Sequence, residues 1–146
     1  MSVTARDPRL SARDIFDRLE RAMPLNRANF FVHAGLAFLY AVSGRMEDAL
    51  RVGATLDRDG TRHARCQNLL GALYSSAGRP DDAKRAFASA IEADPRDPTG
   101  YMNLGAFEMR AGNPAGAARL FAEALTLDPG SQSARTALAE ATRRVP

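Results

Sequence analysis

The chain has 146 residues, of which 45% are hydrophobic and 25% are charged, and its formal net charge is +3. This composition is that of one ordinary soluble domain, and no apolar run reaches the roughly 18 residues that a membrane span needs. The single cysteine, Cys66, excludes an internal disulfide framework. Because the N-terminus has charges where a signal peptide has its apolar region, we expect a cytoplasmic protein.

The positive charge lies at the two ends of the chain. Residues 1–29 carry six Arg against four acids, and residues 132–146 carry three Arg against one Glu, so each end has a charge of +2. The residues between these ends sum to −1. Because the excess charge is terminal and does not follow a groove, we do not expect a nucleic-acid partner, and association through the terminal arginines is only a weak alternative.

The N-terminal part of the chain predicts three helices. Residues 1–10 have no helical periodicity, whereas Ser11 and Asp14 resemble a capping box before an amphipathic helix over 11–23, which ends before Pro24. A second helix is predicted over 28–43 and ends at Gly44, as helices with a C-terminal glycine cap do. A third is predicted over 46–56, followed by a break at 57–61.

The rest of the chain predicts five further helices, over 65–77, 80–93, 99–111, 114–127 and 132–144. Pro80 and Pro114 fall just inside helix starts, where the missing N–H costs nothing. Asp94 and Asp128 each precede a proline, which disfavours the helical region and ends the helix. The last helix has few large apolar residues, which is typical of a capping helix with a polar outer face.

Residues 64–131 are two copies of one 34-residue unit. Among the residues that recur unchanged at this offset in the second copy are Leu70, Gly71, Gly78, Pro80, Ala83, Phe87, Ala90, Asp94 and Pro95. A more divergent copy spans 30–63, where Leu36, Tyr40, Gly44 and Ala49 lie 34 residues before Leu70, Tyr74, Gly78 and Ala83. A period of this length indicates a stacked repeat array, in which neighbouring units bury each other's apolar faces.

This signature resembles the tetratricopeptide repeat (TPR) family. The unit 64–97 matches its pattern, the unit 98–131 departs from it at Glu108, where the preceding unit has Tyr74, and the unit 30–63 departs at Ala37, Gly53, Leu56 and Thr61. The resemblance implies an all-α fold, a right-handed superhelix (α-solenoid) of about three TPR helix-turn-helix units at 30–63, 64–97 and 98–131. An N-terminal tail and helix over 1–29 and a C-terminal capping helix over 132–146 would flank them.

The repeated residues are interpreted as scaffold. Small side chains such as Gly71, Ala83 and Ala90 let paired helices approach closely, while Tyr74 and Phe87 fill the space between neighbouring units. A direct functional role is not expected of them.

The resemblance also implies a groove, because in this family the first helix of each unit lines a concave face. Its groove positions here are Phe31, Ala34, Phe38, Ala41 and Val42, then Arg65, Asn68, Ala72, Ser75 and Ser76, then Thr99, Met102, Ala106, Met109 and Arg110, with Asn103 beside them. Such a surface, apolar at its N-terminal end and mixed further along, suits a peptide segment with hydrophobic anchors. We therefore expect a non-enzymatic adaptor or small chaperone that binds another protein.

Several alternatives stay open. The helix at 11–23 could simply cover Phe31 and Phe38, or the same apolar patch could join copies of the chain in a homo-oligomerisation module. A chaperone of type III secretion translocators fits the architecture, although such proteins tend to be acidic. Family members that clamp a C-terminal carboxylate use Lys, Asn and Arg at set positions, of which only Asn103 matches here, so that ligand is not expected.

Catalysis and metal binding have little support in the sequence. His33 falls in a core-forming helix and His63 near a turn, and neither has Cys, Asp or Glu at metal-ligand spacing on a shared helical face. No phosphate-binding glycine loop or nucleophile elbow is present. We therefore expect neither an enzyme nor a cofactor.

Overall fold

The structure, a computed structural model, describes residues 12–22, 30–58 and 63–146, and the regular secondary structure in these ranges is entirely α-helical. The helices are α1 Ala12–Ala22, α2 Phe30–Val42, α3 Met46–Arg58, α4 Ala64–Ser76, α5 Pro80–Ala93, α6 Pro98–Arg110, α7 Pro114–Leu127 and α8 Gln132–Arg144. The all-α prediction is confirmed. The capping box at Ser11 lies outside the described residues, and the segment boundaries at 29/30 and 131/132 stay predictions.

Packing divides the chain into two compact units, Met1–Asp59 and Gly60–Pro146. In the first unit α2 packs against α3, and Leu36, Ala37 and Ala49 are fully buried. Helix α1 packs on α2 where Gly35 leaves room for Leu19, and the Tyr40 hydroxyl donates a hydrogen bond to Glu20. Burial, followed by this contact with the Glu20 carboxylate, raises the pKa of Tyr40.

The second unit contains the hairpins α4–α5 and α6–α7, and α8 packs against α7. Each hairpin is closed by one phenylalanine ring lying over one glycine. A Cβ atom on Gly71 would lie 2.6 Å from the ring of Phe87, and one on Gly105 would lie 2.6 Å from the ring of Phe121. The expectation that Gly71 permits close helix approach is confirmed, because any side chain there would push the helices apart.

The turns inside the hairpins follow the predicted glycine and proline signals. Gly44, Gly78 and Gly112 have φ of 76°, 70° and 80°, a region that favours glycine and ends the first helix of each pair. Pro80 and Pro114 occupy the first residues of α5 and α7, as expected.

An aromatic cluster joins the two hairpins of the second unit. The rings of Phe87 and Phe107 are 6.0 Å apart at an interplanar angle of 51°. Leu104 belongs to the same buried cluster, and Tyr74 packs against it. The predicted role of Phe87 and Tyr74 between neighbouring repeats is therefore confirmed.

Candidate functional site

The second unit has two pockets, the first lined by residues of α4, α5 and α6 and the second by residues of α6, α7 and α8. The first has a volume of about 390 Å³ and is lined by Ala72, Ser75, Ser76, Phe87, Asn103, Ala106 and Arg110. The second has a volume of about 350 Å³ and is lined by Ala106, Met109, Arg110, Phe121, Ala137, Glu140 and Arg144. Because Ala106 and Arg110 belong to both linings, the pockets adjoin each other, and we call this surface the α4–α6–α8 groove.

The α4–α6–α8 groove brings together part of the predicted site. Ala72, Asn103, Ala106, Met109 and Arg110 line its two pockets. Two further predicted residues, Arg65 and Asn68, share the helical face of Ala72 on α4 without lining either pocket, and Arg65 is exposed. Their assignment to a binding surface stays a prediction.

Met102, another predicted groove residue, lines neither pocket. Its side chain is half-buried and packs, together with Met109, against the cluster of Ala117, Phe121 and Ala141. A polar substitution at Met102 would therefore disturb packing as well as any ligand contact. The assignment of Met102 to the groove surface stays a prediction.

Asn68 has a buried acceptor. The residue is 9% exposed, and its Oδ1 atom has no hydrogen-bond partner within the part of the chain that the structure describes. An unpaired buried carbonyl oxygen is unfavourable by about 1–3 kcal/mol. Asn68 therefore differs from most buried amide side chains, whose oxygen atom accepts a hydrogen bond.

Sequence reasoning missed the contribution of α8, because this helix was interpreted only as a cap. Ala137, Glu140 and Arg144 form one side of the second pocket. A signal was available, since Arg144 lies 34 residues after Arg110 and so occupies the same repeat position. Helix α8 therefore lines the groove in the way that the first helix of a further repeat unit would.

The charges of the groove are unevenly paired. Arg144 forms an ion pair with Glu140 at 2.5 Å. Arg110 has only a long hydrogen bond, 3.4 Å from its Nη2 atom to Ser75 Oγ, and no ion pair among the described residues. The lining of the two pockets thus carries one uncompensated positive charge, on Arg110.

Glu108, the residue that departs from the repeat pattern, is buried on α6 with 6% exposure. Its carboxylate forms an ion pair with Lys84 Nζ at 2.7 Å and accepts a hydrogen bond from Asn113 Nδ2 at 2.8 Å. Burial raises the pKa of Glu108, but the hydrogen bonds from Lys84 and Asn113 and the charges of Lys84 and Arg119 outweigh it, so the pKa lies below its ordinary value. The single lysine of the chain therefore ties α5 to α6.

The predicted residues of the first unit form a separate apolar stripe on α2. Phe31, Phe38 and Val42 are 75%, 63% and 64% exposed, and Ala34 is half-buried between them. Helix α1 contacts α2 at Gly35 and Tyr40 and leaves this stripe uncovered. The alternative that the N-terminal helix covers Phe31 and Phe38 is wrong.

Two negative findings hold for the described ranges. No cluster of three or more His, Cys, Asp or Glu side chains is arranged to hold a metal ion in residues 12–22, 30–58 and 63–146. Within the same ranges, no helix has the length and apolar character required to cross a bilayer.

The paired helices and their groove define a helical-hairpin repeat protein of the all-α solenoid class. Residues 68–132 match the model of a family described as tetratricopeptide repeat. The predicted tetratricopeptide repeats are thereby confirmed for this segment. No protein with a curated description matches the chain.

Several solved structures are similar to this chain, and TPR proteins are among them. The MamA protein is 17% identical with a TM-score of 0.73, over 91% of this chain and 73% of that one. A thermophilic TPR protein of Thermus thermophilus is 19% identical with a TM-score of 0.81, over 90% and 73%. The second TPR domain of human RPAP3, solved with the HSP70 peptide SGPTIEEVD, is 18% identical with a TM-score of 0.65, over 75% and 92%. At these identities the likeness establishes the fold alone.

Proposed function

We propose that the protein is a non-enzymatic adaptor that binds a peptide segment of another protein in the α4–α6–α8 groove. The observation that carries this proposal is the pair of adjoining pockets that share Ala106 and Arg110. Concave sites with apolar floors and a few polar groups are where proteins bind ligands. Two adjoining pockets suit a peptide segment that places one group in each.

The groove has the chemistry that a peptide requires. Ser75, Ser76 and Asn103 in the first pocket offer hydrogen-bonding groups to a peptide backbone, whereas Met109 and Phe121 in the second offer an apolar floor. The HSP70 peptide in the RPAP3 structure supports this mode of binding as a precedent within the same fold. A chaperone role, that of a type III secretion translocator chaperone included, is a narrower form of the proposal and requires a partner that is unstable without this chain.

A neutral obstruction of the groove tests the proposal. Short random peptides displayed on phage are selected on the immobilised protein, and the enriched peptides are synthesised. Ala106→Gln places a long side chain at the junction of the pockets and should abolish binding. Ala122→Gln introduces the same side chain at an exposed site on α7 outside both pockets and should leave binding unchanged.

Helical content measured by circular dichroism should be the same for both variants, because glutamine is a good helix former. Absence of any enriched peptide, or full binding to Ala106→Gln, would contradict the proposal.

The exposed stripe of α2 supports a second candidate, self-association. Three large apolar side chains, Phe31, Phe38 and Val42, are exposed on a helix without a Lys, Arg, Asp or Glu. Exposed apolar patches commonly mark interfaces. Light scattering over a concentration series should show an oligomer that Phe38→Asp dissociates, whereas a monomer at every concentration would exclude this candidate.

The compartment is also a proposal. The chain has one cysteine, Cys66, which is 2% exposed, and a single cysteine forms no internal disulfide. We propose a cytoplasmic protein, because a chain without an internal disulfide suits a reducing environment.

A further inference from the structure

The groove contains one arginine, Arg110, that forms no ion pair with any residue that the structure describes. Arg110 lines both pockets of the α4–α6–α8 groove and also a neighbouring pocket of about 370 Å³ lined by Ser75, Gly78, Pro80, Phe107 and Ala111. In that neighbouring pocket and in the first pocket, Arg110 is the only charged residue of the lining. The three pockets therefore share Arg110 in their linings.

The second arginine of the groove, Arg144, has a different status. It lies at the same repeat position as Arg110, 34 residues later, but its charge is paired with Glu140 at 2.5 Å. Arg110 has Ala106 four residues before it, where Arg144 has Glu140. The uncompensated charge at Arg110 thus follows from the absence of a carboxylate one helical turn before it.

The surroundings of Arg110 differ on its two sides. Toward α8, the second pocket is floored by Met109, Phe121 and Ala137, which can take an apolar side chain. Toward α4, the first pocket has hydroxyl and amide groups. A guanidinium has five donors in a planar arrangement that matches a carboxylate, and Arg110 uses one of them on Ser75.

From this arrangement we infer that the groove is specific for a segment in which an acidic side chain adjoins an apolar one. The carboxylate of that segment pairs with Arg110, and the apolar side chain occupies the second pocket. This inference rests on the proposed function and adds the chemistry of the partner. It requires an internal acidic residue and not a free chain end, since the positions of the family's carboxylate clamp are occupied here by Ala34, Phe38, Leu69, Thr99 and Asn103.

Peptides displayed on phage with their C-termini fused to the coat protein provide the test, because they have no terminal carboxylate. The enriched peptides should share an Asp or Glu next to a Leu, Ile, Met or Phe. A fluorescent copy of one such peptide, amidated at its C-terminus, is then titrated by anisotropy. Arg110→Gln should weaken binding about tenfold, the typical effect of losing a hydrogen bond to a charged group.

Two further variants make the result specific. Arg96→Gln removes an arginine that is exposed in the turn after α5 and lies outside the three pockets, so binding should be unchanged. Glu140→Gln releases Arg144 from its ion pair, so the acidic peptide should bind a few-fold more tightly at low salt. Replacing the acidic residue of the peptide by its amide should weaken binding to the native protein but not weaken it further in Arg110→Gln.

The outcomes separate the two proposals. Peptides that are enriched and excluded by Ala106→Gln, yet share no acidic residue or bind Arg110→Gln at full affinity, would overturn the acidic specificity and leave the groove proposal intact. A protein that enriches no peptide would overturn both.

Discussion

The turns of the two hairpins in the second unit have nearly the same backbone but different side chains. Arg79 N–H donates to Tyr74 C=O at 2.9 Å, and Asn113 N–H donates to Glu108 C=O at 2.9 Å. In the α4–α5 turn, Arg79 stacks on the Tyr74 ring at 4.8 Å and pairs with Asp82 at 2.6 Å.

In the α6–α7 turn, Asn113 bonds to both Glu108 and the backbone N–H of Gly116, at 2.8 and 3.0 Å. Each residue of one set lies 34 positions from its counterpart in the other. The lesson is that the repeat tolerates a polar residue at the Tyr74 position when its partners change with it. One set is an exposed cluster of charges around a ring, and the other is a buried carboxylate that is tied to the preceding hairpin.

The largest expected effect comes from removing the buried carboxylate. Glu108→Ala leaves the Asn113 amide without its acceptor and Lys84 without its ion pair, and should lower the free energy of unfolding by about 2 kcal/mol. At the corresponding position, Tyr74→Phe keeps the ring under Arg79 and should change the free energy of unfolding by less than about 0.5 kcal/mol. Urea denaturation measures the free energy of unfolding of both variants. Equal losses of stability would contradict the claim that the buried carboxylate matters more in its turn than the Tyr74 hydroxyl does in the other.

A smaller effect is expected when an aspartate, the residue at position 82 of the α4–α5 turn, is placed at the corresponding position of the α6–α7 turn. A Cβ atom on Gly116 would lie 2.4 Å from Asn113 Nδ2, so Gly116→Asp should displace the N-cap side chain and lower the free energy of unfolding by about 1 kcal/mol. Combining it with Asn113→Arg and Glu108→Tyr recreates the Tyr-Arg-Asp set of the α4–α5 turn. The triple variant should be more stable than the sum of its single changes predicts, and simple additivity would show that the sets are independent.

The smallest effect is expected in acid. The pKa of Glu108 is below its ordinary value of 4.5, so the stability contributed by its charge is fully present above pH 4.5 and is lost as the pH falls through the folded pKa. Glu108→Gln should reduce the dependence of the free energy of unfolding on pH below pH 4.5, as measured by urea denaturation at several pH values. The hydrogen bonds from Arg85 and Arg79 also lower the pKa of Asp82. Because that cluster is exposed to screening, Asp82→Asn should leave the pH dependence unchanged, and an equal reduction would contradict the assignment.

The scaffold was largely predictable from the sequence, because its physics is local and periodic. The 34-residue period, the glycines at the turns and the prolines at the helix starts specify where helices begin, end and pair. Glu108 was recognised as a departure, but its partner Lys84 lies 24 residues away on another helix. No local rule connects them, so the reason for the departure required the structure.

The candidate site was predictable only in part. Repeat positions identified Ala72, Asn103, Ala106 and Arg110, which line one pocket. The repeat positions did not reveal that Met102 packs against the core cluster. The sequence alone does not distinguish an apolar side chain that contacts a ligand from one that packs against a neighbouring helix. Nor could a pattern of apolar residues on α2 tell on which side α1 would pack.

The rings that close the two hairpins also form parts of the pocket walls. Phe87 lies over Gly71 and lines the first pocket, and Phe121 lies over Gly105 and lines the second. A ligand in either pocket would therefore contact the phenylalanine ring that packs between the two helices of that hairpin. Occupancy should be readable without any label as a rise in melting temperature that grows with the logarithm of ligand concentration.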